Sequence, residues 1–530
     1  MQTIMICMEY RLTPVKPQVA APAMGLTFIR QTRLAILIVV LAALALRSSA
    51  ALTLSLHHAD EIGQYLDQAH RLVFGYGTEP WEYRAEMRSW LIPLFLSCPM
   101  ALGDILAPEG SLYLNLPKLA VAFLSLPVLW AAWSFGRLLS REHAWIALWV
   151  AAIWFEFIFF AGHVLSEPLA LAAILPGAAL LMRGSDGRLS LIAAGFLLAL
   201  GAVLRFHYGP AIVFFVIAMC WRERRNQLKL VFGGAIVALI LSALADMVMG
   251  QVPFQWMVNN AYQNLIANRA DAYGSSGPLG YFAGLRDWWG LVGLGILLLL
   301  AFDGRRLHPN LAILFWTAIV NFGLHSLIGH KEYRFILLST SIIVILAAIG
   351  SLDLAQKLAG KWPKLPQARM LPIAALLWLS ASAALAFTSP GKFRWHAYGG
   401  TMQLMAKAKN TPSICAIGLD QDYWNAGSYA VLHRPIPLYV TSALNPGHVS
   451  AEAPINGTSA YNAVIAHKTR GATLGPAYKP IACSLHQTEN GYLVRNGKRE
   501  DICLFQRAGG CAGAGLERFR INEWLRDHGL

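Results

Sequence analysis

Charge is what this sequence has least of. Asp, Glu, Lys and Arg make up 14% of its 530 residues, whereas soluble domains carry about 25%. The apolar fraction is 56% and the mean hydropathy +0.47. So little charge cannot cover a water-facing surface of this size, and the chain reads as a polytopic membrane protein. Several motifs are also missing. There is no P-loop, no dinucleotide fingerprint and no nucleophile elbow, so no soluble nucleotide or acyl intermediate has an obvious seat. The 7 cysteines form no CxxC and no Cys/His metal spacing, and no metal or cofactor is expected. No repeat of spans is visible. The net charge of +14 does not point to nucleic acid, because the cations fall in short clusters between apolar runs and not on one face of a soluble domain.

What is present is a series of apolar runs. A span needs about 20 apolar residues to cross the hydrocarbon core, and about eleven runs qualify on that basis. They are 34–55, 116–138, 143–161, 164–182, 188–204, 208–221, 230–249, 287–302, 311–328, 335–352 and 371–388. The first is longer than the h-region of a signal peptide and is read as a retained span. Basic clusters alternate between the runs. Arg30 and Arg33, Arg137 and Arg141, Arg183 and Arg188, Arg222 to Lys229, Arg305 and Arg306, and Lys357 to Arg369 fall on one side. The positive-inside rule makes that side cytoplasmic. Residues 57–115 and everything after Ser389 then face the other way. The expected organisation is a cytoplasmic segment 1–33, a membrane domain 34–389 with a large external loop 57–115, and an external α/β domain 390–530. That last part alternates short apolar stretches with Gly, Pro and Asn turns. It holds Cys415, Cys483, Cys503 and Cys511, whose pairing spacing alone does not fix. It also holds an Asn456-Gly457-Thr458 triplet.

The polar chemistry is concentrated in two places. The first follows the first run: His57-His58-Ala59-Asp60-Glu61, then a stretch dense in acids, arginines and aromatics. A carboxylate leaving a span at this depth can take a proton from an acceptor hydroxyl while a lipid-borne substrate lies alongside. The bland alternative is that these acids only solvate a loop. The second is His330-Lys331-Glu332-Tyr333-Arg334-Phe335, between two runs on the same external side. Lys331 and Arg334 share a face if the segment is helical, and such a pair can hold a phosphate, Arg by a two-pronged bond. Its alternative is snorkelling of cations at a span end. Single polar groups at other external span ends could line the same cavity: His58, Arg88, Trp90, Arg205, Asp246 and Tyr262, with His163 and Glu167 at a tight turn.

These residues carry a family resemblance. His58-Ala59-Asp60-Glu61, then His70-Arg71-Leu72-Val73-Phe74-Gly75-Tyr76-Gly77, Trp81-Glu82 and Arg88-Ser89-Trp90 resemble the first external loop of the dolichyl-phosphate-mannose-dependent α-mannosyltransferases of N-glycan and GPI-anchor assembly. His330 to Phe335 is similar to that family's His-Lys-Glu-x-Arg-Phe segment. Asp246 to Gly250 looks like its Asp-x-x-x-Tyr-Gly segment without the Tyr, and Ala59 stands where the family has proline. The resemblance covers the membrane part and implies a GT-C helix bundle. It implies inverting transfer of mannose from a polyprenyl-phosphate donor to a glycan or lipid-linked acceptor, in a site facing the periplasm or the ER lumen. It makes Asp60 the base with Glu61 beside it, and His330, Lys331 and Arg334 the donor-phosphate contacts. With a sugar phosphate held between base and clamp, Asp60 and the Lys331/Arg334 pair are expected roughly 8–15 Å apart. The rival readings are a flippase or transporter of lipid-linked sugars, a non-enzymatic subunit of a glycan-assembly complex, and a transferase using another polyprenyl-phosphate sugar.

Overall fold

The computed structural model describes residues 26–530 except 184–186, 221–224, 362–365, 389, 421–426, 442–458, 490, 493, 496, 513–515, 528 and 530. Arg222, Arg224, Lys364, the triplet at 456–458 and most of the segment 1–33 lie outside the described residues. Each of the eleven apolar runs falls on helix. By length and composition, five described helices can cross a membrane: Thr32–Leu52, Leu112–Arg137, Gln227–Val248, Tyr333–Lys361 and Gln367–Phe387. Two bent pairs raise the number to seven, Arg141–Ile153 with Phe155–Ala161 (50°) and Gly280–Trp289 with Leu291–Leu307 (99°). Shorter apolar helices fill the rest of the bundle. The sharper bend sits at Gly290, whose φ of +70° is a left-handed conformation that a Cβ would disfavour.

The helix from Tyr333 to Lys361 is the centre of the bundle. Its most apolar window is 89% buried, against 17% for Thr32–Leu52 and 28% for Gln227–Val248. Lipid gives no hydrophobic drive between helices, so close packing of small residues must hold them together. Gly304 and Gly350 face each other across two helices, and a Cβ on Gly350 would lie 2.1 Å from the Leu300 carbonyl. Arg47, 1% exposed within the first helix, donates to the Ala151 (2.7 Å) and Ala152 (3.3 Å) carbonyls. These are carbonyls left open where the helix Arg141–Ile153 breaks at Trp154.

The stretch 57–115 is not an open loop. It is a string of short helices that includes the apolar Leu91–Leu106. Pro93 and Pro99 and a span-short length kept this run below the count of 20. The tail carries a five-stranded sheet of β1 (Ile417–Leu419), β2 (Leu438–Val440), β3 (Ala463–His467), β4 (Lys479–Leu485) and β5 (Asp501–Gln506), in the order β2-β1-β3-β5-β4. The first three run parallel, and the last two are antiparallel to their neighbours. Two disulfides tie it, Cys415–Cys511 and Cys483–Cys503, the second joining paired residues of β4 and β5.

Loop and tail share one core. Ile62, Leu66, Leu96 and Tyr113 are buried in the same cluster as Met402, Ile417, Leu432 and Leu504. Polar bonds cross the seam. Asp67 accepts from the Ala430 amide (2.7 Å), the Tyr113 hydroxyl donates to the Ala430 carbonyl (2.9 Å), and Asn522 donates to the Gly77 carbonyl (3.0 Å). The two parts therefore lie on one side of the helix bundle.

Candidate active site

Asp60 is set where the chain leaves the first helix. It immediately precedes a π-helical turn, Glu61–Leu66, a wide turn often found at functional positions. Glu61 anchors that turn from behind. It is 1% exposed, and its carboxylate accepts from the His57 (2.6 Å) and Val164 (3.1 Å) amides and from His163 Nδ1 (3.0 Å). Burial pushes its pKa up, but His163 and these bonds outweigh that and bring it down to about 2. All of its accepting capacity is engaged away from Asp60.

The second motif arrives from 274 positions further along the chain. A short 3₁₀ turn, Tyr333–Ile336, opens the central helix and holds Arg334 at 2% exposure. Its guanidinium donates to Asp60 Oδ2 at 2.6 Å and to Glu332 Oε2 at 2.6 Å, with Glu167 Oε1 3.6 Å away. His58 closes the ring: Nδ1 lies 3.2 Å from Asp60 Oδ1, and Nε2 lies 3.6 Å from Glu332 Oε2. Glu167, fully buried, is also paired with Arg205 at 3.1 Å. So Asp60, Arg334, Glu332, His58, Glu167 and Arg205 form one network.

The expected gap of 8–15 Å between Asp60 and Arg334 is not there. The two are in direct contact, opposite charges that attract strongly in a low-dielectric site. The charge states are mutually enforced. Burial opposes ionisation of Asp60, but His58 and Arg334 overcome it and hold the carboxyl well below its ordinary range. Glu332 is held down in the same way, burial being outweighed by Arg334, His58 and His330. Burial lowers the His58 pKa, but the Asp60 and Glu332 carboxylates outweigh it and raise the pKa to about 9.

The other sequence-predicted residues sort into three positions. Arg88 and Arg205 line a small pocket beside the network, with Tyr65, Ser166, His207 and Asn260. Arg88 Nε, Arg205 Nε and His207 Nδ1 are buried there without a hydrogen-bond partner, a costly arrangement unless an acceptor comes to them. The pocket holds about 30 Å³, room for a water or two. His330 and Lys331 face another way. His330 binds the Gly274 carbonyl (2.9 Å) and Glu332 (3.0 Å), and Lys331 donates to the Ser276 (3.0 Å) and Ile328 carbonyls. They pin the loop after Tyr273 onto the motif. Trp90, Asp246 and Tyr262 are outside the network: Trp90 packs on Tyr83, Asp246 accepts from Phe254 and Trp256, and Tyr262 is 57% exposed. Among the described residues, no group of three or more His, Cys, Asp or Glu is placed to hold a metal ion.

Sequence reasoning did not single out Glu332 as a partner of Arg334. It placed Glu167 at a tight turn among groups that could line the cavity but did not pair it with Arg334 or Arg205, although an acid at the start of an apolar helix is a signal in itself. It had no way to find Glu489, which reaches back from the tail to pair with His57 beside the Asp60 turn.

These features define an integral membrane protein of the GT-C kind. The fold is similar to that of ArnT from Cupriavidus metallidurans bound to undecaprenyl phosphate, with a TM-score of 0.55, 12% identity, and 91% of this chain and 98% of that one covered. It is also similar to the Archaeoglobus fulgidus oligosaccharyltransferase, with a TM-score of 0.50, 15% identity, and 80% of this chain and 63% of that one covered. The Alg9-like mannosyltransferase family model matches residues 38–416, and the chain belongs to that family. Among curated proteins it is similar to GPI alpha-1,2-mannosyltransferase 3 of Mus musculus, 26% identical over 300 residues, 52% of each chain. GPI mannosyltransferase 3 of Drosophila melanogaster is 25% identical over 319 residues, 55% of this chain and 52% of its own. The chain spans about half the length of these relatives.

Proposed function

We propose that the protein is a membrane mannosyltransferase that moves mannose from a polyprenyl-phosphate donor to a hydroxyl of a glycan or lipid-linked acceptor, with inversion. The observation that carries this reading is the Asp60–Arg334 contact, which joins two motifs 274 positions apart into one charged network. Family membership supports the sugar. The likeness in fold to an enzyme whose structure is bound to undecaprenyl phosphate is consistent with a lipid-phosphate donor.

In this mechanism Asp60 accepts the proton of the acceptor hydroxyl as the oxygen attacks the anomeric carbon. The bond from that carbon to the phosphate breaks, and the lipid phosphate leaves with the electron pair. Inversion needs one base and no covalent intermediate. The leaving phosphate takes Arg334 from Asp60 and recruits the open nitrogens of Arg88 and Arg205, cations that stabilise charge developing in the transition state, while burial and the neighbouring Arg205 keep His207 neutral. Donor entry therefore separates Asp60 from Arg334. Glu61 positions the Asp60 turn and does not act on substrate. His330 and Lys331 act by holding the 273–280 loop over the site. The domains we assign are a segment 1–33, a transferase domain 34–389 with its loop 57–115, and a tail domain 390–530, with loop and tail on the non-cytoplasmic side.

The test is transfer itself. Purified protein is given polyprenyl-phosphate-[³H]mannose and candidate lipid-linked acceptors, with nucleotide sugar in parallel. Labelling of an acceptor from the lipid donor, lost in Asp60→Asn, supports the reading. Labelling only from nucleotide sugar overturns it.

A further inference from the structure

The molecule has a second, larger opening far from this network. A groove of about 830 Å³ runs between the first helix and the helix Leu112–Arg137, a size typical of ligand sites. Its walls are apolar and aromatic, with Ile36, Val40, Phe123, Trp130 and Trp133 among them, and Arg137 and Arg183 stand at one end. The first helix is tied down at several points along one wall of the groove. Ala43 packs on Leu129 and Leu148, and Arg47 is bonded to Ala151 and Ala152. Ile36 and Val39 pack against the same cluster, and Thr32 accepts from Arg141. A break at Ser125 and Leu126, ahead of Pro127, lies on the groove wall.

The groove is at the opposite end of the bundle from Asp60. The helix Ser166–Met182 carries Glu167 of the charged network at one end and meets Arg183 at the other. Sixteen residues at 1.5 Å each set these about 24 Å apart. Arg137 and Arg183 are both exposed. Among the described residues neither is paired with a carboxylate; Arg183 lies over the Trp130 ring, 5.7 Å from its centre. Arg30, Arg33, Arg141 and Arg188 belong to the same basic end.

We propose that this groove binds an anionic glycerophospholipid of the leaflet on the basic side, its phosphate between Arg137 and Arg183 and its acyl chains along Ile36, Val40, Phe123 and Trp133. The occupant follows from charge complementarity. Two unpaired guanidiniums at the rim of an apolar, tryptophan-lined groove match an anionic head group on two chains, and the leaflet at basic loops is where such lipids supply the negative surface. The lipid is a bound structural ligand on the face away from the reaction. It fills the gap that the first helix leaves, and so fixes the helix that delivers Asp60.

The test uses the full chain in nanodiscs and native mass spectrometry. The probes are dioleoyl phosphatidylglycerol, dioleoyl phosphatidylcholine and undecaprenyl phosphate. Wild type should retain one phosphatidylglycerol at least tenfold over phosphatidylcholine. The double variant Arg137→Gln/Arg183→Gln should bring that preference within twofold. Val40→Trp, which fills the groove and keeps both arginines, should lose the bound lipid as well. Equal retention of the two phospholipids by wild type overturns the proposal. So does phosphatidylglycerol binding that survives both variants, or undecaprenyl phosphate displacing it at equal concentration.

Discussion

Asp60 and Arg334 meet at 2.6 Å across 274 positions of sequence. One leaves the first helix, and the other opens the most buried helix of the bundle. Replacing either should act differently. Asp60→Asn removes the base but keeps the shape, so kcat should fall about 10²- to 10⁴-fold with the donor KM little changed. Arg334→Lys keeps a cation but loses the fork, so it should raise the donor KM as well as lower kcat. Steady-state kinetics on both variants check this, with folding verified by thermal midpoint.

The pH profile should follow His58. Its pKa is raised to about 9, whereas the Asp60 carboxyl stays ionised well below its ordinary range. The interactions of cationic His58 are fully present below its unfolded value of about 6.5 and are lost as pH rises toward 9. Those of the Asp60 carboxylate are lost only in strong acid. Rate should therefore hold from weakly acidic to neutral pH and decline as pH approaches 9. His58→Gln should remove that alkaline decline. A rate profile with its main inflection near pH 4 to 5 would contradict the assignment.

Glu61 should matter for stability more than for chemistry. Its folded pKa is depressed to about 2. That contribution is present above about pH 4.5 and disappears as pH falls toward 2, and a shift of this size is worth on the order of 3 kcal/mol. Glu61→Gln should lower the thermal midpoint at neutral pH and narrow its loss at acid pH. Activity per folded molecule should fall less than in Asp60→Asn.

The seam between loop and tail should come apart as a unit. Asp67 is fully buried and accepts from the Thr78 (3.2 Å) and Ala430 (2.7 Å) amides. A hydrogen bond to a charged or buried acceptor contributes about 1.5–3 kcal/mol. Asp67→Ala should raise amide exchange around Thr78 and around Ala430 together. Exchange rising on one side alone would mean that the two parts fold independently.

Much of this was legible in the sequence, for physical reasons. Apolar runs in lipid must become helices because every backbone group has to be satisfied within the segment; the eleven runs fell on helix, and five to seven of the described helices are long and apolar enough to cross a membrane. Leu91–Leu106 escaped because it is short and holds two prolines. β4 is faint in the sequence because Pro480 and its largely exposed residues mark an edge strand less clearly than a buried one. Asp60 and Arg334 stood out because charge beside a span is costly and needs a reason. Their contact did not, because no periodicity links residues so far apart. The same holds for Glu489 in the tail, whose partner His57 lies just after the first helix in sequence. Spacing paired Lys331 with Arg334, and the family resemblance added His330; their bonds to the carbonyls of a neighbouring loop depend on tertiary contacts that spacing does not carry.

The most direct measurement is the distance between the two motifs with and without donor. Spin labels flanking the site, at Ala59 and at Phe335, would report it by pulsed electron resonance in nanodiscs. The account predicts one short distance in the free protein and a longer one, by several ångströms, when a non-hydrolysable polyprenyl-phosphonate mannose is added, as the phosphate takes Arg334 from Asp60. The change should vanish in Arg334→Lys. An unchanged distance at saturating donor analogue, with transfer intact, would contradict the shared site.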